Sequence, residues 1–183
     1  MIPPVVPGDT PSAGEREIFN KLATHPDTGD WVILHSLDTA EHVKNVFGEV
    51  DFVVLIPGMG VLCLEVKATN RVRRERGIWY YGNSGPDLRG PFKQAAEAMH
   101  SVRKYVQQEL PKLNQTVFWS GVCFPYTEFS ETSSEWHSWQ VIDQRTIRAH
   151  GYPYAIQQVL KSAHSFLASK RVSWFREKHP GPS

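Results

Sequence analysis

Charged side chains interrupt two otherwise apolar stretches of this sequence. Glu49 and Asp51 open the first stretch, and Glu65 and Lys67 close the second. Because side chains alternate between the two faces of a strand, Glu49 and Asp51 share one face, as do Glu65 and Lys67. Both stretches are apolar on both faces beyond these residues, which is typical of central strands covered on both sides.

The turn between the two stretches decides whether these charged pairs meet. The segment between them contains Pro57-Gly58-Met59-Gly60, and its proline and glycines strongly favour a turn. Asp51 and Glu65 share a face only if paired residue numbers have an even sum, which requires an odd number of loop residues. A three-residue loop, 58–60 or 57–59, satisfies this condition, whereas a two-residue loop or a bulge sends the carboxylates to opposite faces. We predict the odd loop, with both carboxylates within reach of one ion.

Two converging carboxylates repel each other unless a cation lies between them or one of them is protonated. Hard divalent ions such as Mg²⁺ prefer oxygen ligands and keep several waters. Lys67 projects to the same side as Glu65, where an ammonium group would steady a phosphate or a metal-bound hydroxide. The combination is typical of metal-assisted phosphodiester hydrolysis. The alternative is an ordinary ion-pair ladder at the end of a sheet, in which Glu65 pairs with Lys67 and Asp51 is solvated.

The spacing of these residues resembles a known nuclease signature. Asp51, thirteen intervening residues and then Glu65-Val66-Lys67 resemble the D-x(n)-E-x-K pattern of the PD-(D/E)XK nuclease superfamily. The surrounding sequence resembles the NERD, or nuclease-related, domain over roughly residues 12 to 125. The C-terminal third of the chain resembles it only loosely. The segments that carry this resemblance are Gly14-Glu15, Gly48-Glu49-Val50-Asp51-Phe52-Val53-Val54, Gly60-Val61, Trp79 and Pro91-Phe92-Lys93-Gln94.

The resemblance implies both a fold and a site. The fold is α/β, with a restriction-endonuclease-like αβββαβ core and a mixed central sheet flanked by helices. Asp51 and Glu65 would be metal ligands for Mg²⁺ or Mn²⁺, with the Val66 carbonyl as a third ligand. Lys67 would be the catalytic lysine.

Four further residues have both a functional and a structural interpretation. Glu15 matches the acidic position of the first helix in the resemblance, yet Ser12-Ala13-Gly14-Glu15 is also a capping box. Gln94 matches a helix position near the site, although polar residues are common early in helices. Glu49 either supports Lys67 or is a solvated strand end. His35 is expected to be packed or to support the site rather than to bind metal.

A dense basic cluster follows the proposed catalytic strand. Its arginines would contact phosphates, with Trp79 and Tyr80 stacking on bases, as in DNA-binding proteins. The alternative is a solvated hairpin tip. The four arginines are Arg71, Arg73, Arg74 and Arg76.

Hydrophobic periodicity and turn residues predict the elements that position these groups. We predict a flexible arm over 1–11, a nuclease domain over 12–169 and a basic tail or linker over 170–183. Loops are expected over 71–77 and 82–90. The predicted helices are 12–24, 91–110 and 154–169, and the predicted strands are 31–37, 48–56, 61–68, 78–81, 115–124 and 139–142.

Composition limits the remaining possibilities. The chain has 183 residues with 20 basic and 19 acidic side chains, so its net charge does not indicate a nucleic-acid partner. No apolar run approaches the length of a membrane span, and no secretory signal is evident, so a cytoplasmic location is expected. The two cysteines form no CxxC pair, which argues against a structural zinc site and favours buried free thiols.

Two functions of different classes follow from these observations. The first is a metal-dependent DNA endonuclease, with RNA not excluded as a substrate, acting in a helicase-linked DNA-processing or phage-defence system. The second is a catalytically idle nucleic-acid-binding or regulatory module that retains the nuclease fold. A helicase or ATPase partner and a homodimer are further expectations.

Overall fold

A computed structural model describes residues 12–35 and 50–178, with side chains described through residue 170. Short 3₁₀ helices at Pro26–Thr28, Pro111–Leu113 and Ser138–Gln140 connect the longer elements. Those elements, in chain order, are α1 (Ala13–Thr24), β1 (Val32–His35), β2 (Phe52–Ile56), β3 (Gly60–Val66), β4 (Val72–Glu75), β5 (Ile78–Tyr81), α2 (Pro91–Glu109), β6 (Phe118–Phe124), β7 (Val141–Asp143), α3 (Gln144–His150) and α4 (Tyr152–Lys178).

The central sheet is mixed and has the strand order β1-β2-β3-β6-β7. Strand β2 runs antiparallel to both of its neighbours, β1 and β3, and β6 and β7 run parallel to β3. Helix α2 packs on one face, and α1 and α4 pack on the other. This arrangement confirms the predicted αβββαβ order, with the β4–β5 hairpin inserted between β3 and α2.

The turn between β2 and β3 has the predicted odd length. Ile56 pairs with Gly60, which leaves a three-residue loop over 57–59. Each cross-strand pair therefore has the same even sum, from Phe52 with Leu64 to Leu55 with Val61. The even-numbered side chains of both strands enter the core beneath α1 and α4, and the odd-numbered ones face α2.

The basic segment after β3 is not the loop that the sequence predicts. Residues 72–75 form strand β4, which pairs with β5 in a two-stranded sheet separate from the central one. The turn consists of Arg76 and Gly77, whose φ angles are 51° and 83°. Two successive residues with positive φ are what a tight two-residue hairpin turn requires. The sequence did not predict this hairpin, because the segment consists mostly of charged residues and contains a single glycine.

The last helices differ from the prediction in extent. A short helix, α3, follows β7 and was not predicted; Asp143 caps it by accepting a hydrogen bond from the backbone N–H of Thr146 at 3.0 Å. Helix α4 continues to Lys178, beyond the predicted end at residue 169. The predicted arm over 1–11, the end of the first predicted strand after residue 35 and the side chain of Glu49 lie outside the described residues.

Both cysteines are buried free thiols, as the sequence predicts. Among the residues that the structure describes, no helix combines the length and apolar character needed to cross a membrane.

Candidate functional site

Asp51 lies in a bend immediately before β2. The first pair of the hairpin, Phe52 with Leu64, places it next to the end of β3 that carries Glu65. The Oδ2 atom of Asp51 accepts a hydrogen bond from the backbone N–H of Val66 at 2.6 Å. This bond holds the Asp51 carboxylate at the carboxyl end of β3, where it interacts electrostatically with Glu65. The three-residue turn sets the register of the hairpin. A turn one residue longer or shorter would reverse the face on which each side chain of β2 lies relative to those of β3.

Both carboxylates are held in surroundings that disfavour their charge. Burial, followed by the charges of Glu65 and Glu15, raises the pKa of Asp51 well above its ordinary value, although the bond from Val66 and the charge of Lys67 oppose the change. Burial also raises the pKa of Glu65, against the opposing effect of Lys67. Acidic groups that converge in this way are stabilised by a cation.

The two oxygens of Glu65 have different surroundings. Oε1 accepts a hydrogen bond from Lys67 Nζ at 2.8 Å. Oε2 is buried and has no hydrogen-bond partner in the described part of the chain. A buried carboxylate oxygen without a partner is costly, and a divalent cation would satisfy it. The oxygen donors of Asp51, Glu65 and the Val66 backbone fit Mg²⁺ or Mn²⁺ in this respect.

The protein supplies few metal-binding side chains. Over residues 12–35 and 50–178, no group of three or more His, Cys, Asp or Glu side chains lies close enough together to hold a metal ion. An ion bound by Asp51 and Glu65 would therefore need the backbone carbonyl and water to complete its ligands. Mg²⁺ commonly binds through one or two carboxylates and retains several waters.

Lys67 lies just beyond β3 and is contacted by three elements. Besides Glu65, its ammonium group donates a hydrogen bond to Gln94 Oε1 on α2 at 3.0 Å. It also lies over the ring of Tyr81 from β5, at 5.3 Å from the ring centroid. The structure thus brings Gln94 to the position expected near the site. Sequence reasoning missed Tyr81, because its distance from Lys67 along the chain carries no periodic signal.

Glu15 lies in the first turn of α1, and its carboxylate contacts His35 of β1. Ser12 caps α1 by accepting a hydrogen bond from the backbone N–H of Glu15 at 3.3 Å. The Glu15 carboxylate lies 3.2 Å from Nε2 of His35, whose side chain is fully buried. The charge of Glu15 also raises the pKa of both Asp51 and Glu65. Glu15 is therefore within electrostatic reach of the carboxylate pair, and His35 is packed against it.

Three of the four arginines are exposed, and the fourth, Arg74, is largely covered. Arg71 and Arg76 are exposed, and Arg73 pairs with Glu75 at 2.8 Å while stacking on Tyr80. Arg74 is largely buried beside Glu135 and lies over the indole rings of Trp79 and Trp136.

Trp79 is not available to stack on a base. Its side chain is 3% exposed and lies among aromatic residues that pack between the hairpin and α2. The predicted stacking role for Trp79 is therefore wrong. Its ring packs close to Gly90, the N-cap of α2, and this packing fixes the hairpin against the helix.

Comparison with known protein families places this chain. The family model for the nuclease-related domain, NERD, matches residues 10–125, which is more than half of the 183 residues. The chain belongs to the NERD family. The matched segment includes α1, the first six strands and α2, and therefore every residue of the candidate site. Neither the curated proteins nor the solved structures contained a match to the chain.

The family match agrees with the extent of resemblance predicted from the sequence, roughly residues 12 to 125. In this NERD domain, β7, α3 and α4 lie beyond the matched segment. They complete the sheet and cover its second face, since α4 supplies much of the core that packs against β2 and β3. Family membership supports a nuclease-related function for the chain.

Proposed function

We propose that this NERD domain is a divalent-metal-dependent nuclease that hydrolyses DNA phosphodiester bonds. The observation that carries the proposal is the convergence of Asp51, Glu65 and Lys67 at one end of β3, where a buried oxygen of Glu65 has no hydrogen-bond partner. A structural ion pair alone would need only Glu65 and Lys67. It gives no reason for a second carboxylate, Asp51, whose own charge is disfavoured there.

Asp51, Glu65 and the carbonyl of Val66 would hold Mg²⁺ or Mn²⁺. Such an ion, when bound, lowers the pKa of a coordinated water and neutralises charge on the phosphate. The protein prepares the site by holding the Asp51 carboxylate against the backbone of β3 through the Val66 bond. Glu65 is fixed on its other side by Lys67 at 2.8 Å.

Lys67 would bind the phosphate of the substrate. Its side chain is 21% exposed, so the ammonium group is accessible, although Glu65 and Gln94 limit its movement. Positive charge beside a phosphate stabilises the negative charge that develops during its hydrolysis. Gln94 and Glu65 each accept one hydrogen bond from the ammonium group, which would leave the third N–H of Lys67 for substrate.

The alternative function, an idle nucleic-acid-binding module, has two observations in its favour. The described residues provide no cluster of three metal-binding side chains, and Glu65 already has a counterion in Lys67. In such a module the pair would only stabilise the end of β3. DNA binding would then be independent of divalent metal and of the identity of Lys67.

The two functions are separated by incubating supercoiled and linear DNA with the purified protein in Mg²⁺, Mn²⁺ or EDTA. We expect cleavage with a divalent ion and none in EDTA. Glu65→Gln and Lys67→Met should each abolish cleavage while retaining the fold. Lys93→Met is the matched control, because Lys93 is a 68% exposed lysine on the same α2 helix that carries Gln94. Wild-type cleavage by Lys67→Met would overturn the proposal.

The finer parts of this proposal are tested by extending the same experiment. Parallel reactions with RNA identify the nucleic acid, and sedimentation of the protein with and without DNA tests the predicted homodimer. Association with a helicase or ATPase, a role in DNA processing or phage defence and a cytoplasmic location stay predictions from the sequence.

A further inference from the structure

Lys67 has a third neighbour besides the two hydrogen-bonding partners already described. The ring of Tyr81 lies beneath the ammonium group, 5.3 Å from Nζ to the ring centroid. Glu65, Gln94 and Tyr81 come from β3, α2 and β5, so three separate elements define the position of one ammonium group. An aromatic face attracts a cation at this distance.

Tyr81 is itself held in place through its hydroxyl group. The hydroxyl donates a hydrogen bond to Oδ2 of Asp87 at 3.1 Å. The other oxygen of Asp87 accepts from the backbone N–H groups of Arg89 and Gly90, at 2.9 and 3.1 Å. Because Gly90 is the N-cap of α2, Asp87 connects the ring of Tyr81 to the start of the helix that carries Gln94.

Backbone contacts make the same connection rigid. Trp79 and Asp87 exchange two backbone hydrogen bonds, at 2.9 and 2.8 Å. The side chain of Trp79 packs so closely on Gly90 that a Cβ atom there would lie 2.5 Å from the indole nitrogen. The β4–β5 hairpin and the first turn of α2 therefore form one unit, which presents both Tyr81 and Gln94 to Lys67.

We propose that Tyr81 is a positioning residue, whose ring holds the ammonium group of Lys67 in the orientation required at the reacting phosphate. The inference rests on the proposed nuclease function for its effect on rate. The contact between the two side chains is a property of the protein by itself. The inserted β4–β5 hairpin would thus supply a side chain that orients Lys67, although it contributes no strand to the central sheet.

The hydroxyl group of Tyr81 does not act as an acid or a base in this arrangement. Burial, and then the charge and hydrogen bond of Asp87, raises the pKa of Tyr81 above its ordinary value. The hydroxyl thus remains a proton donor to Asp87. Removing the hydroxyl should therefore matter less than removing the ring.

The contact is tested by NMR of protein carrying ¹³C-labelled lysine, with the Lys67 signal assigned by its loss in Lys67→Arg. Protons over an aromatic face are shielded, so we expect the ε-CH₂ signal of Lys67 to lie upfield of the other lysines. Tyr81→Leu should return it to their range, and Tyr81→Phe should leave it shielded. Tyr80→Leu is the matched control, because Tyr80 stacks on Arg73.

Two results of this NMR experiment would overturn the contact. One is a wild-type Lys67 signal that coincides with the other lysines, which requires no variant to fold. The other is a shielded signal that persists in Tyr81→Leu with a native amide spectrum. Both stand even if the protein cleaves no DNA, so failure of this inference is distinguishable from failure of the proposed function.

The effect on catalysis is tested by measuring kcat and KM separately for the wild type and the Tyr81 variants. We expect Tyr81→Leu to lower kcat about tenfold, the size of a partly buried cation–π contact, with KM changed by less than about twofold. Tyr81→Phe should restore most of the rate, which a hydroxyl-dependent role would not allow. A raised KM with unchanged kcat would instead assign Tyr81 to substrate binding and overturn the positioning role.

Discussion

The carboxylate of Asp51 accepts a hydrogen bond from the backbone N–H of Val66 at 2.6 Å. This bond joins the residue before β2 to the last residue of β3 and so fixes the start of one strand to the end of the next. It also holds Asp51 where burial and the charge of Glu65 raise the pKa of its carboxyl group. The site is therefore assembled at an electrostatic cost that a bound cation would remove.

Replacing Asp51 by Asn should stabilise the metal-free protein. The folded-state pKa of Asp51 is raised, so its ionisation destabilises the fold increasingly as the pH rises from the ordinary carboxyl pKa through the raised value. Below the ordinary pKa, the wild-type residue is protonated in both states and this penalty is absent. We expect Asp51→Asn to increase the free energy of unfolding by about 1 kcal/mol at pH 7, and by much less near pH 3.

Denaturant unfolding in EDTA at these two pH values measures the effect. Asp30→Asn is a suitable control, because Asp30 is exposed and its substitution should change the stability little at either pH. Addition of Mn²⁺ should stabilise the wild type more than Asp51→Asn, since a ligand that binds only the folded state stabilises it. Equal stabilisation of both proteins by Mn²⁺ would contradict the assignment of Asp51 as a ligand.

Two substitutions at Glu15 distinguish its structural role from its electrostatic one. Glu15→Ala removes the contact with the buried His35 and should cost about 1–3 kcal/mol of stability. Glu15→Gln can keep a hydrogen bond to His35 while removing the charge. If Glu15 belongs to the site, the Gln variant should retain its thermal stability but cleave DNA more slowly. Unchanged cleavage by a stable Gln variant would leave only the structural role.

The arginines should separate into two classes of effect. Arg71 and Arg76 are exposed, so their joint replacement by Ala should weaken DNA binding and reduce the salt dependence by up to about two counterions. Arg74 lies on two indole rings, so Arg74→Ala should instead lower stability by about 1–2 kcal/mol. Binding titrations at several salt concentrations and thermal unfolding test this division; an Arg74→Ala variant with native stability but weaker binding would refute it.

Gly90→Ala should disturb the site from a distance. Gly90 has a φ of +75°, and an added Cβ would lie 2.5 Å from the nitrogen of the Trp79 indole. We expect a loss of about 1–3 kcal/mol in unfolding free energy, and a displaced hairpin that moves Tyr81 away from Lys67. Gly85→Ala is the control in the same loop, since its Cβ would meet no atom. The intensity of Trp fluorescence and the Lys67 NMR signal report the displacement.

Much of the central layer follows from local patterns in the sequence. The capped first helix, the strand pair around the turn after Ile56, the helix beginning at Pro91 and the strand near Phe118 all appear close to their predicted positions. These elements have strong hydrophobic periodicity and are bounded by turn-forming or capping residues. Both signals depend only on residues close together in the sequence. The β4 strand was missed because three of its four side chains are charged, and strand pairing with β5 overrode that composition.

By itself, the sequence determined which residues are available for chemistry, and strand alternation showed that Asp51 and Glu65 would share a face if the turn had an odd length. These are consequences of short-range geometry, since a strand repeats every two residues and a turn has a countable length. Only the tertiary structure decided that Gln94 and Tyr81 approach Lys67, that Arg74 covers indoles and that Glu15 reaches His35. Those contacts join residues on separate elements, whose relative positions depend on how whole layers pack to bury apolar surface.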